Sequence, residues 1–342
     1  MKLQEITQRF PGVSCAWLDA DGFMTTECYG VADRERGIPV DENTIFPACS
    51  ISKFITAIGL MKLQEQGAID IDMPVNDYLH QWKLRTQDGN ESNATIRALM
   101  CHTAGTIDGE DGFYGLRRSD PDISLLDILE GRTAYNNRPA RAEKEPGMDF
   151  AYSDAGYCVL QLLVEDVTGL PFDEAAQALV CEPLGLRNTF FASRKNVEAF
   201  EHSRIMATGY DGEGLPLPGK YPYQPDLAAS ALWSTPTELL TIAKAFIEAF
   251  QGRSAFLQAE SAREMARRME KFPWTGLGVF PQGEDVIMSQ GWGENGQCML
   301  KMNVRTGAAA VVMTNRNPEA DQAESGVEWL VDSKMGGANQ GG

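Results

Sequence analysis

Ser50 and Lys53 stand three residues apart in Ser50-Ile51-Ser52-Lys53, at the head of ISKFITAIGLMKLQEQG, a stretch that reads as a helix. If Ser50 opens that helix, the two side chains share one face. A serine hydroxyl is a weak nucleophile until a base takes its proton. A partly buried lysine can be that base, because desolvation disfavours its charged form. The free N–H groups of a helix start suit an oxyanion. The chemistry implied is acyl transfer through a covalent serine adduct. Serine and lysine at this spacing arise by chance about once in a chain of this length, so the surroundings must carry the assignment.

Other chemistries find less support. The three histidines, His80, His102 and His202, are too few for a His-rich metal centre. His102 is expected to brace a turn, and no sequence pattern selects any of the three for a Ser-His-Asp triad. The seven cysteines (15, 28, 49, 101, 158, 181 and 298) are odd in number and never spaced as CxxC. That argues against a disulfide framework or zinc site, and for buried free thiols in a reducing compartment. No GxSxG elbow or Walker A loop is present. Neither cofactor nor metal is expected. A net charge of −18 repels phosphate backbones and anionic lipid, so nucleic acid and membranes are not expected partners. No apolar run reaches the roughly 18–20 residues of a membrane span, and the start, MKLQEITQRFPG, has no apolar signal region. A cytoplasmic location is the expectation.

The elements that would position Ser50 follow from periodicity. The first ten residues suit a short helix. Residues 12–22 and 23–33 are β-prone runs around an Asp-Gly turn, a hairpin signal. In the helix after Ser50, Phe54, Ile58, Met61 and Leu60 recur at helical spacing and Gly67 is a natural end. Helices are expected near 95–101, 123–131 and 155–168. Another spans 236–250, with Thr235 and Glu238 as a capping box and Pro236 at its first position. Strands follow at 275–281, 286–290, 297–304 and 308–314, with Arg305-Thr306-Gly307 turning between the last two. A final helix covers about 319–333, and the Gly-rich tail after Lys334 is expected to fray. Strands at both ends with helices between predict an α/β (α+β) fold. Its antiparallel sheet is built from the N- and C-terminal strands and flanked by helices. Residues 1–75 and 215–342 would form the α/β subdomain and 76–214 a mostly helical one, together one catalytic domain.

The context of the serine is more specific. Phe46-Pro47-Ala48-Cys49-Ser50-Ile51-Ser52-Lys53-Phe54, the run Leu63 to Asp72, and Val75-Asn76-Asp77-Tyr78-Leu79 resemble the serine β-lactamase-like family. That family holds class C β-lactamases, penicillin-binding peptidases and family VIII carboxylesterases. Ile96 to Gly105 resembles its LLxHTSG segment. Glu145-Pro146-Gly147 followed by Phe150-Ala151-Tyr152-Ser153-Asp154-Ala155-Gly156-Tyr157 resembles its PG…FxYSNxGY segment. Glu182 to Leu186 and Leu232 to Leu239 also match, and the blocks run in family order from about residue 28 to 315.

The resemblance implies a β-lactamase/transpeptidase-like fold and a proton-transfer role for Tyr152, with Lys53 as the cation a phenol needs in order to ionise. Tyr135-Asn136-Asn137 is a literal YxN, but the flanking residues select Tyr152. Where the family has asparagine this chain has Asp154, a negative charge that would raise the Lys53 pKa and remove an amide donor. The third family motif, Lys-Thr-Gly or His-x-Gly, falls on Gln290-Gly291-Trp292, or in another register on Gly291-Trp292-Gly293. Neither supplies Lys or His. Gln290, Trp292 and Asp154 are thus candidate substrate-binding residues. The N–H groups of Ser50 and Gly293 are candidate oxyanion donors, with Glu294 in the second register. Trp233 is expected in the core or pocket wall. Without a cation, a neutral ester or amide suits the site better than a β-lactam. β-Lactam or D-amino-acid peptide hydrolysis is the enzymatic alternative, and a penicillin-binding-like sensor that acylates without turnover is the other. Loops 105–150 and 210–230 would shape the pocket.

Overall fold

The computed structural model describes residues 3–19, 21–109, 112–117 and 119–335; the Gly-rich tail lies outside them except for Met335. The strands are β1 Gly12–Leu18, β2 Met24–Asp33, β3 Ile38–Pro39, β4 Phe46–Cys49, β5 Arg85–Thr86, β6 Arg141–Ala142, β7 Phe190–Phe191, β8 Leu232–Ser234, β9 Phe280–Gln282, β10 Val286–Gly293, β11 Gly296–Asn303 and β12 Ala309–Thr314. The helices are α1 Leu3–Arg9, α2 Ser52–Glu65, α3 Ile96–Met100, α4 Leu125–Leu129, α5 Asp154–Thr168, α6 Phe172–Ala176, α7 Arg194–Ser203, α8 Leu227–Ser230, α9 Pro236–Phe250, α10 Ala259–Ala266, α11 Gln322–Ser325 and α12 Val327–Lys334.

Seven strands form one antiparallel sheet in the order β3-β2-β1-β12-β11-β10-β9. The two chain ends meet where β1 pairs β12, with Val13 opposite Thr314 and Leu18 opposite Ala309. Alternation along the strands sends side chains to two faces. Ala16, Leu18, Cys298, Leu300, Val311 and Met313 face the large core that holds α2 and α9. Val13, Cys15, Met288, Met299 and Val312 face the other way, onto Ile6 of α1 and Val327, Leu330 and Val331 of α12. A separate three-stranded sheet, β4-β8-β7, carries the chain into the Ser50 turn.

Helix α2 is central. Its residues from Ser52 through Met61 are all buried, so it is enclosed on every side rather than on the one stripe its spacing predicts. Phe54 meets Phe246 of α9 edge-on at 5.4 Å. The helix ends in a Schellman arrangement: Ala68 N–H bonds Leu63 O, Gly67 N–H bonds Gln64 O, and Gly67 has φ +71°.

Four local expectations need correction. Helix α2 begins at Ser52, so Ser50 belongs to the turn before it. The strand expected at 275–281 is only Phe280–Gln282. Before it the chain turns, with Gly276 N–H on Val279 O and Gly278 at φ +69°, because a side chain at 278 would strike Lys53 O and Ala57. The helix expected at 319–333 breaks at Gly326, whose φ is +93°. The capping box of α9 is half-formed. Thr235 accepts from Glu238 N–H, but the Glu238 carboxylate instead accepts from Arg187 and Asn188 N–H and Thr189 Oγ1.

Candidate active site

Strand β4 delivers the nucleophile through a tight turn. Cys49 sits at φ +45°, in the left-handed region that non-glycine residues adopt at a cost. The turn is braced by Ser52, whose Oγ donates to Cys49 O at 2.5 Å and accepts from Leu232 N–H at 2.8 Å. Ser50 is half-buried at its apex. One turn into α2, Lys53 is buried and extends Nζ to within 3.1 Å of Ser50 Oγ.

Three further groups surround that ammonium. It donates to Ala229 O of α8 at 2.8 Å, and it meets Asp154 Oδ1 at 2.6 Å, an oxygen that accepts no other hydrogen bond. It also lies 4.8 Å above the Tyr152 ring. Burial opposes the Lys53 charge, but Asp154 and Tyr152 outweigh it and hold the lysine pKa well above its ordinary value. Lys53 therefore rests as an ammonium ion, the direction expected of the asparagine-to-aspartate departure.

Tyr152 reaches the same place from the loop before α5. Its ring is 41% exposed along the cleft, while its hydroxyl lies deep, against Lys53 and Ser50. Burial pushes the phenol pKa up; Lys53 opposes this and Asp154 adds to it. Tyr152 is a neutral phenol at rest. His102 holds it in place: the rings stack at 4.3 Å, His102 Nδ1 accepts from Ser153 N–H at 3.2 Å, and His102 O accepts from Ala151 N–H at 2.9 Å. Burial, then the nearby Lys53 charge, push the imidazole well below its usual range, so it stays neutral.

Two acids that the sequence did not single out complete the centre. Asp108 accepts from Ser153 Oγ, Asp154 N–H and Ala155 N–H at 2.7, 2.6 and 3.0 Å, fixing the start of α5. Asp226 is fully buried at the start of α8, with Oδ1 bonded to the Tyr135 hydroxyl and Oδ2 without a hydrogen-bond partner. Tyr135, the alternative YxN tyrosine, is thus committed to Asp226. Both acids lie in loops with no periodicity. A TIDG or PYQPD run carries no signal that its carboxyl group turns inward.

Strand β10 runs beside the nucleophile turn, and its alternation separates the third-motif candidates. Gly291 and Gly293 face Cys49; a Cβ on Gly291 would collide with Ala48 O, and one on Gly293 would lie 3.0 Å from Cys49 Sγ. Gln290 and Trp292 share the opposite face with Met288, and Gln290 pairs with Met299. Trp292 donates Nε1 to Asn317 Oδ1 at 2.8 Å. Gln290 and Trp292 are therefore corrected: their side chains point away from Ser50, because period-two alternation puts every second residue on the far face. The Gly291-Trp292-Gly293 register fits the geometry. The turn after β10 holds Glu294, which Arg117 grips through two bonds of 2.8 Å, while Leu116 and Tyr223 exchange backbone hydrogen bonds. Residues 112–117 are thereby fastened across one flank of the cleft. Trp233 is core.

A serine, an ammonium and a phenol converging beside a strand whose glycines pack against the nucleophile turn form the kind of centre used by serine acyl-transfer proteins. The family model for Beta-lactamase matches residues 2–332, and the chain belongs to that family of serine hydrolases. Among its relatives, esterase EstB of Burkholderia gladioli is 33% identical over 192 residues, 55% of this chain and 47% of that protein. The chain spans about half the length of the curated relatives it matches. A penicillin-binding protein homologue from Pyrococcus abyssi, described as octameric, shares the fold at TM-score 0.77 and 24% identity, over 97% of this chain and 76% of that one. D-amino acid amidase from Ochrobactrum anthropi SV3 does so at TM-score 0.77 and 22% identity, over 96% of each. Among the described residues, no helix is long and apolar enough to cross a membrane.

Proposed function

We propose that the protein hydrolyses uncharged esters or small amides through an acyl-enzyme on Ser50. The observation that carries this reading is the 3.1 Å contact of Lys53 Nζ with Ser50 Oγ, with the Tyr152 hydroxyl against both. At rest Lys53 and Tyr152 both hold their protons, so one proton must first leave this pair. The vacated base then takes the Ser50 proton as Oγ attacks the carbonyl, and it returns that proton to the leaving group as the carbon–oxygen or carbon–nitrogen bond breaks. Water repeats the cycle in reverse and frees the acid. The N–H of Ser50, with that of Gly293 or Glu294, would hold the oxyanion. β10 carries no lysine, arginine or histidine, which supports a substrate without a carboxylate for the protein to pair.

One observation favours a second reading. Asp154 holds Lys53 charged, which slows any step needing a neutral base, so a sensor acylated once without turnover fits the same residues. β-Lactams and D-amino-acid amides are alternative substrates, as in relatives named for them. Hydrolysis of a short-chain p-nitrophenyl ester by wild type and by Ser50→Ala tests these. Steady turnover lost in the variant supports the hydrolase. Equal rates sink Ser50 as nucleophile. A single stoichiometric burst supports the sensor.

A further inference from the structure

Beside Tyr152 lies a group of rings that the acyl-transfer chemistry leaves unused. They come from segments far apart in sequence. His102, which backs Tyr152, meets Phe150 edge-on at 5.9 Å. Phe150 in turn meets Trp274 at 5.9 Å and Phe272 at 6.4 Å, and those two meet each other at 5.6 Å. On the sheet side, Phe280 of β9 lies 6.5 Å from the Tyr152 ring, nearly parallel to it. The rings thus form one connected wall that begins at the phenol.

The outer part of this wall is open to solvent and held in place from behind, while His102, which joins it to Tyr152, is buried. Trp274 is 50% exposed and Met148 57% exposed. Lys271 Nζ donates to Gly147 O at 3.1 Å and lies 3.6 Å from Met148 Sδ, tying the two loops together. Just beyond Trp274 the chain is anchored by Leu277 N–H on Met265 O and Gly278 N–H on Met100 O. Large apolar side chains left exposed together on a fixed framework mark a binding surface. Aromatic rings give wide contact at little entropic cost.

Its occupant follows from the chemistry of Tyr152. A phenol that returns a proton to the departing oxygen or nitrogen must have the leaving group beside it. We propose that Phe150, Trp274, Phe272 and Met148 form a subsite for an aromatic or similarly bulky apolar leaving group. This deepens the ester- and amide-hydrolase reading and rests on it. The one cation among these residues, Lys271, is turned to the Gly147 carbonyl and the Met148 sulfur, so what the rings themselves offer is apolar contact area.

Two acetates that differ only in the leaving alcohol test the subsite: 2-naphthyl acetate and ethyl acetate. In Trp274→Ala the ratio of kcat/KM for the naphthyl ester over the ethyl ester should fall about tenfold, as expected for the loss of one stacking partner, and Trp274→Phe should restore most of it. An unchanged ratio would overturn the subsite. A second measurement does not need turnover: fluorescence titration of 2-naphthol into Ser50→Ala and into Ser50→Ala with Trp274→Ala. Binding should weaken about tenfold in the double variant, and equal affinity would again overturn the subsite. If wild type hydrolyses neither ester faster than Ser50→Ala, the hydrolase reading fails while the naphthol titration still decides the subsite.

Discussion

Replacing Asp154 by asparagine removes one charge and almost no volume from the contact that sets the resting state of the site. The carboxylate lies 2.6 Å from Lys53 Nζ, with side chains 20% and 3% exposed. At an effective dielectric constant of about 20, unit charges that close attract by roughly 6 kcal/mol. The amide oxygen of asparagine can still accept from Lys53, and the partly exposed site relaxes, so we expect a net fall in the lysine pKa of about two units. Tyr152 should fall too, since Asp154 raises both groups. Because a proton must leave this pair before Ser50 attacks, log kcat/KM in wild type should climb with unit slope across neutral pH. In Asp154→Asn the whole climb should be displaced to lower pH, so that the rate is higher at each pH. A shift of about two units gives up to about a hundredfold more active base at pH 7, and the weaker basicity returns roughly half of that on the logarithmic scale, leaving about tenfold. Initial rates on a p-nitrophenyl ester from pH 5 to 10 would show it, with thermal melts confirming the fold. A variant whose profile superimposes on wild type, or lies below it, would refute the reasoning.

Other expectations follow from the buried groups around this pair. Asp226 is pushed up to about 7 by burial and then by Asp154, so the native state keeps a proton there that the unfolded chain releases near pH 4. Stability from this group is lost as pH rises from about 4 to 7, by roughly 4 kcal/mol. Urea unfolding should therefore show Asp226→Asn gaining on wild type by about that amount between pH 4 and 8, and a constant difference would refute it. Gly278→Ala would place a methyl 2.7 Å from Lys53 O and 2.6 Å from Ala57 Cβ at a φ of +69°. It should cost about 1–3 kcal/mol of stability and lower kcat more than KM, read by melting and by ester kinetics.

Esterase EstB is similar in sequence, the penicillin-binding homologue and D-amino acid amidase in fold, and the three carry names of different activities. Around Ser50 this chain has an aspartate beside the lysine, no cation on β10, and the rings beyond Tyr152.

Much of this was legible in the chain itself. Ser50 and Lys53 are three residues apart, and the turn that leads into α2, closed by Lys53 N–H on Ser50 O, brings them together locally. The hairpin at residues 12–33, the helix after Pro236 and the C-terminal strands follow from periodicity and turn residues, which act over a few neighbours. The Asp154 substitution and its effect on Lys53 follow from residue type once the YxN position is aligned. What no local pattern encodes is which side chains arrive from far away. Asp108 reaches Ser153 across 45 residues, and Asp226 bonds Tyr135 across 91. Gln290 and Trp292 looked like site residues by resemblance to the third family motif, but a strand's period of two sends them to the α1 and α12 side, a choice made only when β10 pairs β11 and buries one face. Local sequence set the reactive pair; tertiary packing decided its charge state, its neighbours and the wall a substrate would meet, because those depend on burial and on contacts between distant segments.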